Sequence, residues 1–151
     1  MTTSNMQDYV TILIADQLFG IPVLEVHDVL RGLQLTKIPL APAEVAGALN
    51  LRGRIVTAID VRKRLGLSEL EDDQNGMSIV VEHQGEPYSL MIDNVGEVLS
   101  LDKNDLEPTP VTLSSHWKEI SGGVHRLENK LLVVLQIERL LDFAGNTTIA
   151  A

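Results

Sequence analysis

A chain of 151 residues suffices for one compact domain or two small subdomains around one core, and 44% apolar residues exclude disorder over most of its length. A net charge of −9 and only five scattered aromatic residues exclude a broad basic face or a base-stacking platform for nucleic acid. The lack of cysteine excludes disulfides, thiolate metal sites and a cysteine nucleophile, and it points to a reducing compartment.

Met1–Asp8 is polar and lacks the basic-then-apolar pattern of a signal peptide. Val10, Ile12 and Ile14 alternate with Thr11 and Leu13, as a half-buried strand requires. Ile21–Leu24 and Val26–Leu30 are the next strand candidates, and Pro39 and Pro42 mark an irregular crossing. Arg54–Ile59 is a β-branched run that predicts a well-buried strand, entered through a tight turn at Arg52-Gly53. Asp60 then caps a short amphipathic helix, Val61–Leu65. Ser68–Gly76 is acidic and turn-rich, and reads as a solvated linker.

The second half repeats this order. Ile79–Glu82, a turn at Gln84-Gly85, Leu90–Ile92 and Val95–Leu99 precede a crossing marked by Pro108 and Pro110. Gly122-Gly123 reads as a flexible turn, and Glu128-Asn129 as a second tight turn into the strand Lys130–Gln136. An amphipathic helix, Ile137–Phe143, follows. The longest apolar stretch, Leu131–Leu135, is far short of the roughly 20 residues of a membrane span.

Superposition of the halves makes the repeat explicit. Gly47–Leu65 lies over Gly123–Leu141 at an offset of 76, and Phe19–Leu30 lies over Tyr88–Leu99 at an offset of 69. Phe19 meets Tyr88, Asp28 meets Glu97, Val29–Leu30 meet Val98–Leu99, and Leu51 meets Leu127. We read two copies of one unit within a single domain, roughly 8–68 and 77–144, joined by the linker 68–76. Five or so short strands per copy predict a mainly β chain of two small five-stranded β-barrels related by a pseudo-twofold, with short helices, one of them near the C-terminus. Neither copy is large enough to be comfortable alone, so a shared apolar interface is expected.

A search for chemistry finds no catalytic constellation, and a non-catalytic binding protein without metal or cofactor is the expectation. His27, His83, His116 and His125 form no metal spacing and read as surface residues. No nucleophile elbow, phosphate loop or calcium loop is present. Charge is uneven: residues 1–66 carry seven basic and six acidic groups, and residues 67–151 carry five and fifteen. Five basic residues fall between Arg52 and Arg64, which is either a solvated face or a docking patch for an acidic partner. The second copy is expected to build the turn of Arg52-Gly53 with Glu128-Asn129, so the turn does not demand arginine. The arginine fork suits recognition of a carboxylate or backbone carbonyl.

Gly47-x-x-Asn50-Leu51-Arg52-Gly53-x-Ile55-Val56, then Ile59-Asp60-Val61-Arg62, resembles the CheW-like coupling proteins of bacterial chemotaxis. Phe19-Gly20-Ile21 with Val26, and Asp93-x-Val95-x-Glu97-Val98-Leu99, extend the resemblance over residues 8–143. Thr57 departs from it, standing where the family often has proline. The resemblance implies a cytoplasmic adaptor, not an enzyme, that joins the tips of methyl-accepting chemoreceptors to the regulatory domain of a CheA-type histidine kinase. It implies recruitment to membrane receptor arrays through those partners, with no direct membrane insertion. Carried over by position, receptor binding would involve Gly47, Asn50, Leu51, Arg52, Val98 and Leu99 in a groove between the barrels. Kinase binding would draw on Val23, Val26 and Val29, for which ordinary core packing is the competing reading. The alternatives are a paralogue in another chemosensory pathway, or a stand-alone small-barrel peptide- or ligand-binding protein with no kinase partner.

Overall fold

The computed structural model describes residues 5–31, 35–67, 77–112 and 115–142. The expected linker at 68–76 and Phe143 lie outside them, as does the His116 side chain. The strands are β1 (Met6–Ile14), β2 (Gln17–Pro22), β3 (Val26–Arg31), β4 (Val45–Leu51), β5 (Arg54–Asp60), β6 (Met77–His83), β7 (Glu86–Ile92), β8 (Asn94–Asp102), β9 (Ser121–Arg126) and β10 (Leu131–Leu135). Short helices are α1 (Val61–Arg64), α2 (Ser115–Ile120) and α3 (Ile137–Leu140), with 3-10 turns at Val23–Glu25 and Lys103–Asp105.

Two five-stranded sheets form, in the orders β8-β1-β2-β10-β9 and β3-β6-β7-β5-β4. Replacing each strand by its counterpart in the other copy turns one order into the other. Register follows the same rule. Val133 of β10 sits opposite Phe19 of β2, and their counterparts Thr57 and Tyr88 sit opposite each other in the second sheet. Even the irregularities match, with one bulge where β3 meets β6 and another where β8 meets β1. The sheets, however, are not the two copies. Each takes a hairpin from one copy (β1–β2 or β6–β7) and three strands from the other. This arrangement corrects the expectation of one barrel per copy.

Strand alternation explains why the sheets need each other. Val10, Ile12, Ile14, Phe19 and Ile21 of the first sheet meet Met77, Ile79, Val81, Leu90 and Ile92 of the second in one central core. The opposite faces carry smaller clusters, Tyr9–Leu18–Leu132–Val134 on one sheet and Leu49–Val56–Ala58 on the other. Each fully buried large aliphatic side chain contributes about 1.5–3 kcal/mol, so the central core is the main stabilising feature.

Local departures have local causes. β2 ends at Pro22, where the 3-10 turn begins, so Ile21–Leu24 is not one strand. The buried part of β5 starts at Val56, because Ile55 is 67% exposed at the hairpin tip. α3 is shorter than expected, ending at Leu140. Three hairpins turn through left-handed residue pairs, Ala15-Asp16, Arg52-Gly53 and Gln84-Gly85, whose twist matches that of the flanking strands. The fourth does not. Glu128 and Asn129 are not left-handed, and the loop closes by the Leu127 amide donating to the Lys130 carbonyl at 2.8 Å. Gly122-Gly123 lies inside β9 and is not a turn before it. His125 is 2% exposed and belongs to the interior.

Candidate functional site

The β4–β5 hairpin holds four of the residues singled out by sequence, and each does something different. Gly47 has φ +154°, and a Cβ there would lie 2.6 Å from the Thr36 carbonyl oxygen. Glycine is what lets the crossing segment pass: Thr36 and Ala48 exchange two backbone hydrogen bonds of 2.8 Å. Its counterpart Gly123 plays the same part, with the Glu107 carbonyl 2.9 Å from a built Cβ. Asn50 fixes the turn, its Oδ1 accepting from the Gly53 amide at 3.0 Å. Leu51 packs on the Leu49–Val56–Ala58 cluster.

Arg52 is what the hairpin presents. Its side chain is 76% exposed, held at φ 51° in the left-handed turn, with Nη2 2.9 Å from Asp28 Oδ2. The contact is ionic and is not aligned as a hydrogen bond. Asp28 lies on β3 and Arg52 beside β4, the two opposite edges of the sheet. Leu30 of β3 and Leu51 of β4 also share one cluster, so the sheet curls until its edges meet. Sequence reasoning missed both Asp28 as partner and Ile55 as an exposed neighbour across from Asn50. The available signal for Asp28 was an acidic residue retained in both copies (Asp28 and Glu97) where only one copy has an arginine turn.

Val98 and Leu99 sit on β8, an edge of the other sheet. Val98 is 54% exposed opposite Val10 of the central core, while Leu99 packs with the Tyr9–Leu132 cluster on the other face. Val23 and Val26 are half-buried against the central core. The bulge after Val26 restores phase, so Val26 and Val29 sit opposite Val81 and Ile79 on that same side. Val29 remains 41% exposed. Val29 and Val98 are thus equivalent rim positions of one core, on different sheets. Gly47–Arg52 starts from the other edge strand of its sheet, and the Arg52–Asp28 ion pair brings its tip onto β3, between Val26 and Val29.

The basic stretch divides into separate tasks. Arg62 is bidentate on Asp93, Nε to Oδ1 at 2.7 Å and Nη2 to Oδ2 at 2.5 Å, and the Ala15 amide donates to Oδ2 at 2.8 Å. Burial pushes the Asp93 carboxyl up, but these donors outweigh it and hold it below the usual carboxylate range. Arg64 is buried and donates to the Leu140 and Arg139 carbonyls at the end of α3. Arg54 and Lys63 are exposed. Arg62 and Arg64 therefore tie elements together, as Arg52 does through Asp28, and the stretch is not one docking patch. Among the described residues, no group of three His, Asp or Glu side chains converges as a metal site would need, and no helix is long and apolar enough to cross a membrane.

Comparison with known proteins agrees with this framework. The family model of the CheW-like domain matches residues 8–144. The chemotaxis protein CheW of Klebsiella aerogenes is 30% identical over 136 residues, covering 90% of this chain and 82% of that one. CheW of Helicobacter pylori is 26% identical over 133 residues, covering 88% and 80%. The crystal structure of the scaffolding protein TtCheW from Thermoanaerobacter tengcongensis superposes with a TM-score of 0.85 at 29% identity, over 95% of this chain and 97% of that one. With a ten-strand framework, an N-L-R-G hairpin and an overall likeness all in agreement, the chain belongs to the CheW-like family of chemotaxis proteins.

Proposed function

We propose that this chain is a non-catalytic cytoplasmic adaptor coupling methyl-accepting chemoreceptors to a CheA-type histidine kinase, and that it reaches receptor arrays through those partners. The observation that carries the reading is the β4–β5 hairpin. An exposed arginine is fixed in a left-handed turn by Asn50 and an ion pair with Asp28, beside an exposed Ile55. A preorganised arginine next to apolar surface is suited to fix the register of a receptor's helical hairpin. The receptor-binding set is Gly47, Asn50, Leu51, Arg52, Val98 and Leu99, in which Asn50, Arg52 and Val98 offer exposed contact and Gly47 shapes the backbone. The kinase-binding set is Val23, Val26 and Val29, facing the kinase's homologous regulatory domain.

Titration of the purified chain with a receptor-tip fragment, and separately with the kinase regulatory domain, tests this. Arg52→Glu should weaken receptor binding by about 2 kcal/mol or more, the usual cost of losing an interfacial charge partner, and spare kinase binding. Val26→Asp should do the reverse in a variant that circular dichroism shows to be folded. Unchanged receptor affinity for a folded Arg52→Glu chain would sink the receptor assignment.

A further inference from the structure

The repeat is closed at one corner and open at its counterpart. Where β7 turns into β8, the Asp93 amide donates to the Leu13 carbonyl at 3.2 Å, and its carboxylate holds Arg62 and the Ala15 amide. That clasp stitches the β1–β2 hairpin, the β7–β8 corner and α1 together. By the repeat, Leu24 stands where Asp93 does, Glu138 where Arg62 does, and Glu82 and Gln84 where Leu13 and Ala15 do. The clasp has no chemistry to form there, and Leu24 is left 89% exposed. A cleft of about 460 Å³ opens between the end of β2, the β6–β7 hairpin and the start of α3. That volume is within the roughly 300–1,000 Å³ of ligand-binding clefts. Among the described residues, Glu25, Glu82 and Glu138 line it beside Pro22, Val134 and Ile137, with His83, Gln84 and Gln136 as further polar lining and no lysine or arginine.

We propose that this cleft binds an arginine side chain of a partner protein. The guanidinium enters between Glu25 and Glu138, and an apolar neighbour on the same segment covers Leu24. Two independent observations converge on that occupant. Three carboxylates, with no lysine or arginine in the described lining, leave negative charge that a cation would neutralise. The same molecule, at the equivalent corner, already shows an arginine clasped by a carboxylate through Nε and Nη2. A guanidinium bridges two acceptors through a rigid planar fork, whereas an ammonium is a point charge with no such fixed geometry. Burial, and then the field of Glu138, push the Glu25 carboxyl up. The inference does not rest on the partners named under Proposed function.

The probe is an acetylated, amidated peptide with Leu-Arg-Leu between Gly-Ser flanks, titrated into the ¹⁵N-labelled full chain. Amide shifts should saturate and cluster at residues 22–25, 82–84 and 134–138. Replacing the arginine by citrulline, its uncharged analogue, should weaken binding about tenfold or more, as loss of a charge-assisted hydrogen bond does. Glu138→Gln should do the same, and a lysine peptide should bind more weakly than the arginine one. The double variant Leu24→Asp with Glu138→Arg rebuilds the internal clasp, and should stay folded while losing the peptide shifts. Equal binding of the citrulline or lysine peptide, shifts elsewhere on the chain, or full binding by the folded double variant would each overturn the proposal.

Discussion

Gly47 and Arg52 belong to one short motif, yet physical chemistry separates them cleanly. Gly47 is constrained by backbone: a methyl group there meets a carbonyl oxygen that cannot move without breaking the Thr36–Ala48 bridge. Gly47→Ala should therefore cost about 2 kcal/mol or more, through strain and the lost bridge. Arg52→Ala removes one ion pair whose arginine is mostly exposed and whose Asp28 oxygen is buried, and should cost about 1 kcal/mol. Paired thermal melts read both, and equal losses would mean that the Asp28 contact carries more of the fold than its exposure implies. The motif was legible in the sequence as a block, but the division of labour within it was not, because Thr36 and Asp28 come from outside the hairpin. Thr57 was legible as part of the strand Arg54–Ile59, and it lies buried in β5 opposite Tyr88 and Ala48.

His125 is a residue that sequence misjudged, and its burial predicts a pH dependence. It is edge-on to Tyr9 at 5.6 Å between ring centroids, with Nε2 lacking a partner. Burial lowers its pKa below 6.5, against the opposing fields of Asp105, Asp102 and Glu107. The folded state therefore favours the neutral ring. The unfolded chain takes up the proton first, near pH 6.5, so stability from this group is complete above that pH and is lost as pH falls below it. His125→Leu should flatten the decline in melting temperature between about pH 7 and pH 5 relative to the native chain. An unchanged slope would show that other groups govern the decline.

At the scale of elements, what could be read depended on whether the cause was local. The turns at Gly53 and Gly85 carry their own signal, since glycine accepts a left-handed conformation without steric cost. Ala15-Asp16 adopts the same turn with no glycine, and what supports it is Asp93, nearly eighty residues away, accepting the Ala15 amide. Glu128-Asn129 offered a suitable asparagine and did not use it. The bulge in β3 was equally invisible, yet it decides which face Val29 takes, and so whether Val26 and Val29 form one surface. The exposed 3-10 turn at Val23–Glu25 and the bend at Asp93 occupy matching places in the repeat. Their side chains differ, and that difference separates the closed corner from the open cleft.

At the scale of the whole molecule, the two offsets of the repeat, 69 and 76, were correct to the residue in the strand registers. Their consequence for assembly was not readable, because an offset says which residues are equivalent and not which copy they pair with. Exchange of the hairpins has a strong consequence for folding. A fragment ending at residue 67 keeps β1–β5 but loses β6 and β7, which lie between β3 and β5 in the second sheet. β3 then has no neighbouring strand, β1–β2 stands as an isolated hairpin, and the central core loses Ile79, Val81, Leu90 and Ile92. Isolated hairpins are marginal in water, so the fragment should show no cooperative melt. The intact chain should unfold in one transition, with far-UV circular dichroism and Trp117 fluorescence coincident. Mixing that fragment with one covering residues 77–151 should restore cooperative melting, because each supplies the strands the other lacks. A fragment of residues 1–67 that melts cooperatively alone would show that the exchanged hairpin is dispensable and that each copy can satisfy its own sheet.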